Sequence, residues 1–305
     1  MKHWISCKNI DQSAVQKIFA RASEFKRLKG ILAPSQKKFE EAIVALLFIE
    51  PSTRTRLSFE VAATRFGAKA LHLYPDTSSL TKGETLSDTV NNLYAIGCRY
   101  FVVRHSESFI VEQLAKSAKP GMCLINAGDG TNEHPTQAML DAFTIIEKKG
   151  TLQGQRIAIL GDILRSRVAR SNMHLLTSLG ATVHVSGPKE LLPNGVDIPG
   201  TQLFDSPDDA VRDADVVMAL RIQRERGGIS FSFTDEEFLN NYGITLARLA
   251  LAKKDALVMH PGPMQRGVEI DSTIADGVSS LILKQTENGV FVRMAILEYL
   301  SEGAA

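Results

Sequence analysis

Cysteine is scarce in this chain: Cys7, Cys98 and Cys123 are the only three in 305 residues. They lie far apart and form no Cys-x-x-Cys pair, which excludes a disulfide framework and fits a reduced, cytoplasmic compartment. Long uncharged apolar runs are also lacking, so no segment reads as a membrane span, and the opening Met1-Lys2-His3-Trp4 has no apolar signal core. Charge of one sign is missing too. Lys and Arg number 35 against 34 Asp and Glu, a formal net charge of +1, which argues against a broad nucleic-acid-binding face. Neither nucleic acid nor a membrane is therefore expected as a partner. Gly161-Asp162 follows a strand-like run, but the Gly-x-Gly-x-x-Gly spacing of a dinucleotide loop is absent. There is no P-loop Gly-Lys-Ser/Thr and no Gly-x-Ser-x-Gly elbow. His105, His134 and His260 lack the short spacing of a zinc site, so no metal and no cofactor is expected.

What is there is a chain that is 44% hydrophobic and 23% charged, long enough for two domains. Short β-branched runs alternate with helical patterns, the signature of parallel sheets with crossover helices. The strand candidates are Ala42–Ile49, Ala70–Tyr74, Tyr100–Val103 and Met122–Ile125 in the first half. In the second they are Arg156–Leu160, Thr182–Ser186, Val216–Leu220 and Ala256–Met259. Helices are expected near Gln12–Lys29, Ser52–Gly67, Thr85–Ile96, Ser108–Ser117, Thr136–Lys149, Arg167–Leu179 and Val290–Ser301. The expected fold is α/β: two similar doubly wound domains, residues 1–149 joined by a C-terminal helix 288–305, and residues 150–287. The active site is expected in the cleft between them, because open parallel sheets bind ligands outside the carboxyl ends of their strands.

The most pointed run is Ser52-Thr53-Arg54-Thr55-Arg56. It follows a buried-strand pattern and opens a helix whose Phe59, Ala62, Ala63 and Phe66 share one face. Hydroxyls, unpaired backbone N–H groups and guanidiniums then converge where the helix dipole is positive, which suits a phosphate. A capped surface helix that happens to carry arginines is the other reading. Other strand candidates also end in polar clusters: the Asp76–Glu84 loop with Ser79 and Lys82, Arg104-His105, and the stretch from Asn126 to Gln137 with His134. In the second half they end in Gly161-Asp162 with Arg165, Arg167 and Arg170, in Arg221-Ile222-Gln223, and in His260-Pro261-Gly262-Pro263. Carboxylates are sparse among these positions, so a ligand or ligand pair with several negative charges is expected. Of Arg167 and Arg170, three apart on one helix, one reads as merely solvated. Cys98 and Cys123 beside strands read as packing rather than nucleophiles.

Phe48-Ile49-Glu50-Pro51-Ser52-Thr53-Arg54-Thr55-Arg56 and His134-Pro135-Thr136-Gln137, with Leu140-Asp141 following, resemble the signatures of the aspartate/ornithine carbamoyltransferase family. Lys82-Gly83-Glu84-Thr85, Val103-Arg104-His105, Arg221-Ile222-Gln223 and His260-Pro261-Gly262-Pro263 match in the same order, and the likeness to the aspartate branch covers nearly the full length. The resemblance implies transfer of the carbamoyl group of carbamoyl phosphate to the amino group of L-aspartate, in de novo pyrimidine synthesis. It implies a carbamoyl-phosphate-binding domain at 1–149 and an aspartate-binding domain at 150–287. Carbamoyl phosphate would be bound by Ser52, Thr53, Arg54, Thr55, Arg104, His134, Gln137, Pro261, Gly262 and Pro263, with Arg54, Thr55, Arg104 and His134 catalytic. Aspartate would be bound by Lys82, Arg167, Arg221 and Gln223. Ser79 and Lys82 would come from a neighbouring subunit of a homotrimer with shared active sites; whether regulatory or dihydroorotase-like chains join is left open. The ornithine branch usually carries cysteine where this chain has Pro261, and other members carry leucine at Gly262. A transcarbamoylase for another amine, such as ornithine, a non-catalytic scaffold and a nicotinamide-dependent dehydrogenase are the competing readings.

Overall fold

A computed structural model describes residues 3–32, 39, 42–224 and 233–302. The chain divides into two compact units, Met1–Leu140 with Thr286–Ala305, and Asp141–Gln285.

In the first unit, helix α1 (Gln12–Arg27) opens on the Asp11 carboxylate, which accepts the Ser13 N–H at 2.9 Å, and closes on Lys26 and Arg27. Both ends therefore suit the helix dipole. Strand β1 (Ile43–Phe48), helix α2 (Thr53–Arg65), strand β2 (Lys69–Leu73) and helix α3 (Leu86–Ala95) follow. Then come strand β3 (Tyr100–His105), helix α4 (Ile110–Lys116), strand β4 (Cys123–Asp129) and helix α5 (Pro135–Lys149), which from Asp141 onward belongs to the second unit. The four strands form one parallel sheet in the order β2-β1-β3-β4. One cluster of its core joins Ala45, Leu47, Phe101, Val103 and Leu124 of the strands to Val90 of α3 and to Val111 and Leu114 of α4. Phe25 of α1 packs edge-on against Phe66, with ring centroids 5.3 Å apart.

The second unit holds strand β5 (Arg156–Leu160), helix α6 (Arg167–Ser178), strand β6 (Thr182–Ser186), strand β7 (Thr201–Leu203) and helix α7 (Pro207–Val211). Strand β8 (Val216–Ala219), helices α8 (Asp235–Tyr242) and α9 (Leu246–Leu249), strand β9 (Leu257–Met259) and helix α10 (Ser272–Ala275) come next. Its sheet is also parallel, in the order β7-β6-β5-β8-β9. The last helix, α11 (Ile282–Ser301), starts at Ile282 rather than at Val290. Gly289 lies inside it because of close approach, not as a terminator: a Cβ there would sit 2.6 Å from Arg293 Nη1 and 3.1 Å from Leu140 Cδ2. The portion of α11 in the first unit is tied to α1 by Arg21, whose Nη2 donates to Glu298 Oε1 at 2.8 Å.

The expected strands are present with ends shifted by a few residues at most, β5 and β6 at the expected bounds. Strand β7 and helices α7 to α10 are additions. Strand β7 is a three-residue, largely exposed edge strand and so carries no alternation to read. Helix α8 did carry a signal: Thr234 and Glu237 form a capping box at its start.

His184 of β6 is buried against Phe204, and its Nδ1–H donates to the Ala210 carbonyl at 3.1 Å. Burial pushes its pKa below the usual 6.5, the Ala210 hydrogen bond partly opposing that. The unfolded chain therefore binds more protons than the folded one below pH 6.5, and stability contributed by neutral His184 is lost as pH falls from there through the lowered folded pKa. Thermal melting at pH 7.5 and pH 5.5 should show a smaller acid-induced drop in His184→Gln than in the parent; an unchanged drop would assign the effect elsewhere.

Candidate active site

In the first unit, β1 pairs with β2 on one side and β3 on the other, so the direction of the crossovers reverses between β1 and β3. Such a reversal leaves a crevice at the carboxyl ends of the strands. Phe48 lies opposite Arg104 there, and the Ile49 N–H donates to the Arg104 carbonyl at 2.9 Å. The chain then turns into α2, with Ser52 at the N-cap in an extended conformation (φ −162°, ψ 104°) and its hydroxyl making no capping bond. Thr53 and Arg54 are exposed on the first turn and Thr55 is buried. First-turn N–H groups, hydroxyls and a guanidinium thus lie at the positive end of a helix dipole.

Arg104 is braced rather than free to swing: Nη2 donates to Glu50 Oε1 at 2.7 Å and Nη1 to the Ala127 carbonyl at 3.3 Å. Next to it, β4 ends in a loop organised by one carboxylate. Asp129 is buried and accepts from Asn126 Nδ2 at 2.7 Å, Phe109 N–H at 2.8 Å, Glu133 N–H at 3.1 Å and Asn132 Nδ2 at 3.1 Å. Glu133 in turn accepts the Cys7 N–H at 2.6 Å and the Ser6 hydroxyl. This loop delivers His134, buried, to the start of α5, where its carbonyl accepts the N–H of Gln137 at 3.0 Å and of Ala138 at 3.2 Å. Gln137 is buried one turn along. The carboxyl edge of this sheet therefore gathers Ser52, Thr53, Arg54, Thr55, Arg104, His134 and Gln137.

Ser79 and Lys82 are exposed on a turn that follows the edge strand β2 and ends at Gly83, whose φ of +87° suits glycine. The Ser79 hydroxyl donates to Glu84, which holds that carboxyl below its usual range. Lys82 makes no ion pair among the described residues. Arg56 lies off this group. Its Nη1 is 3.3 Å from His72 Nδ1 on β2, which makes it a brace between helix and strand.

The second unit repeats the arrangement. Strand β5 pairs with β6 and with β8, so the reversal falls between β5 and β8. The Leu220 N–H donates to the Leu160 carbonyl at 2.8 Å. Gly161 follows with φ +123°, and a Cβ there would be 2.4 Å from the Leu220 carbonyl oxygen. Asp162 is fully buried; its Oδ2 accepts from Arg165 Nη2 at 2.6 Å, Arg165 Nε at 3.0 Å and the Gln223 N–H at 3.0 Å. Gln223 Nε2 donates back to the Arg165 carbonyl at 3.1 Å. Arg167 is buried at the first position of α6, capped by Ser166, whereas Arg170 is exposed and is the solvated one of that pair. Arg221 is part-buried, with Nη1 donating to the Ile222 carbonyl at 3.2 Å. Arg167, Arg221 and Gln223 thus follow the carboxyl ends of the neighbouring strands β5 and β8. Pro261, Gly262 and Pro263 follow the edge strand β9, and the φ of +69° at Gly262 is one a leucine would adopt only under strain.

Sequence reasoning assigned no site role to Glu50, Asp129, Glu133 or Asp162. All four lie inside or beside the motifs, but a carboxylate that spends its lone pairs on backbone N–H groups or on arginine has no signature of its own. Cys98 and Cys123 are buried as expected, and Cys7 is buried too; burial pushes Cys123 up to about 11 and raises Cys98 as well. Among the described residues no group of three His, Cys, Asp or Glu side chains is placed to hold a metal ion.

Comparison with known proteins bears on these two crevices. The profile of the aspartate/ornithine carbamoyltransferase carbamoyl-P binding domain matches residues 2–147, and that of the Asp/Orn binding domain of the same enzymes matches residues 153–300. The chain belongs to the aspartate/ornithine carbamoyltransferase family. It is 46% identical to the aspartate carbamoyltransferase catalytic subunit of Syntrophotalea carbinolica, over 99% of this chain and 96% of that protein. It is 52% identical to the corresponding subunit of Sorangium cellulosum, over 86% of this chain and 81% of that protein. Among solved structures it resembles an ornithine carbamoyltransferase from Pyrococcus furiosus (TM-score 0.86, 30% identity, 98% of this chain and 97% of that one). It also resembles aspartate transcarbamoylase from Trypanosoma cruzi in complex with carbamoyl phosphate (TM-score 0.83, 30% identity, 97% of this chain and 95% of that one). The family fold thus serves both acceptors, and side chains rather than architecture must choose between them.

Asp129→Ala leaves buried donors of the loop before His134 unpaired, at about 1–3 kcal/mol for each such group. Urea unfolding should show a loss of more than about 3 kcal/mol. A loss below about 1 kcal/mol would mean that the loop does not depend on this carboxylate.

Proposed function

We propose that this chain is an aspartate carbamoyltransferase catalytic chain, acting in de novo pyrimidine synthesis. It transfers the carbamoyl group of carbamoyl phosphate to the α-amino group of L-aspartate, giving N-carbamoyl-L-aspartate and phosphate. The observation that carries the acceptor choice is the cationic crevice of the second unit. Arginines 167 and 221 with Gln223 suit the two carboxylates of aspartate, since a guanidinium pairs a carboxylate bidentately. The side-chain ammonium of ornithine would be repelled there. The names of the full-length relatives support the same choice.

In this reading Ser52, Thr53, Arg54 and Thr55 hold the phosphate at the α2 N-terminus. Arg104, His134 and Thr55 face the carbonyl oxygen, and Gln137 with the 261–263 loop faces the carbamoyl NH2. The aspartate nitrogen attacks the carbonyl carbon, and the oxygen takes up the displaced electron pair, where the fixed donors stabilise it. Collapse of that adduct breaks the carbon–phosphate-oxygen bond; phosphate departs with the electron pair and takes up the amine proton. Positioning and charge stabilisation suffice, without a covalent enzyme intermediate. The braces on Arg104 and on the His134 loop serve this chemistry by keeping the donors where charge develops.

The minimal active form is a homotrimer in which Ser79 and Lys82 act in a neighbouring subunit's site. This is supported by their exposure beyond the edge strand β2 and by the exposed apolar side chains Leu57 and Val61 on α2 and Leu71 on β2. A cytoplasmic location follows from the pathway; no helix among the described residues is long and apolar enough to cross a membrane.

Purified protein incubated with carbamoyl phosphate and a panel of amino acids should carbamoylate aspartate; turnover of ornithine with none of aspartate would overturn the reading. His134→Ala should lower kcat about 10²–10³-fold, the usual cost of losing one oxyanion donor, with an unchanged circular dichroism spectrum. Mixing separately inactive His134→Ala and Lys82→Ala chains should restore part of the activity through hybrid sites. No recovery after subunit exchange would argue that each chain supplies its own Lys82.

A further inference from the structure

His260 heads the loop that the functional reading assigns to the carbamoyl group, yet that reading gives the histidine itself no task. It is buried, with both ring nitrogens engaged inside the second unit. The Gly262 N–H lies 2.8 Å from Nδ1. A backbone amide can only donate, so Nδ1 is an acceptor and the ring proton sits on Nε2. Nε2 then donates to Glu269 Oε1 at 3.0 Å, and the same oxygen accepts the Gln265 N–H. The backbone of His260 is gripped as well. Its N–H donates to Gln285 Oε1 at 2.9 Å, Gln285 Nε2 donates to Asp141 Oδ1 at 2.8 Å, and Asp141 Oδ2 accepts from Asn172 Nδ2 at 2.9 Å. Asp141, Asn172, His260, Glu269 and Gln285 are all nine-tenths or more buried.

A buried polar chain of this length is costly to assemble, and well-packed apolar residues would serve stability as well or better. Its geometry converges on one short stretch of backbone, Pro261-Gly262-Pro263, entered by the His260 main chain and held from inside by the Gly262 N–H. We propose that His260, oriented by Glu269, is a positioning residue that fixes this loop in the conformation that meets the carbamoyl group. It is not a catalytic residue, since neither ring nitrogen is turned outward to take a substrate proton. The proposal rests on the reading that the 261–263 loop contacts the carbamoyl group.

The test compares His260→Asn with His260→Ala. The asparagine amide oxygen falls near the place of Nδ1 and can still accept from Gly262, whereas alanine cannot; both lose the link to Glu269. Alanine should lower kcat/KM for carbamoyl phosphate by about 100-fold, the scale of a misplacement of roughly 1 Å, and asparagine should recover to within about 10-fold of the parent. The two variants should lose similar thermal stability. Equal kinetic impairment of both, or activity that merely follows the melting temperatures, would overturn the proposal. If alanine does not fold, two-bond ¹H–¹⁵N spectra of the parent decide the matter. The histidine signal that vanishes in His260→Asn should show a bare Nδ1 and a protonated Nε2; the opposite tautomer would overturn the grip on Gly262. That spectrum needs no turnover, so failure of the parent to carbamoylate aspartate would overturn the functional reading while the tautomer still decides the loop.

Discussion

Strand register is the constraint on which the rest of this molecule depends. Phe48 must lie opposite Arg104 for Ser52 and the start of α2 to emerge beside the guanidinium, and a slip of one residue would turn Arg104 to the other face of the sheet. In the second unit the same demand is met between Leu160 and Leu220, where Gly161 is so close to the neighbouring carbonyl that a Cβ could not be accommodated. The central strands β1, β3, β4 and β5 are buried along most of their length, and the polar residues follow at their carboxyl ends. The chemistry is thus positioned by residues that take no part in it.

A second layer of order comes from buried carboxylates. Asp129, Asp162 and Glu269 each accept from two or more donors that would otherwise be unpaired, and each sits directly behind a stretch that the functional reading uses. Burying a carboxylate costs stability unless it is hydrogen-bonded, so loops held in this way have few alternative conformations. The expectation of a crevice poor in carboxylates therefore needs refinement. Acidic groups are present at the strand ends, but their lone pairs are spent inward, and the outward character stays cationic and donor-rich.

The parallel α/β organisation was legible because its strands are short, apolar and rich in β-branched residues, and its main helices carry a 3.6-residue period. Elements without such a pattern were not. Strand β7 is three largely exposed residues, and α9 and α10 are four residues each. The start of α11 is not marked in the sequence, because Gly289, a poor helix former, is kept there by packing rather than by local preference. The motif residues were legible as types at strand ends. The roles of their neighbours were not, since Glu50 bracing Arg104 and Arg56 bracing His72 are contacts between segments distant in the chain.

The sequence by itself determined the fold class, the family, and the polar stretches that follow the strands. These follow from periodicity and from local motifs, whose physics is contained within a few neighbouring residues. Tertiary structure alone decided which arginine is buried and which solvated, as with Arg167 and Arg170, and which nitrogen of His260 carries its proton. Such outcomes depend on burial and on hydrogen-bond partners brought in from elsewhere in the chain, and no local pattern records them.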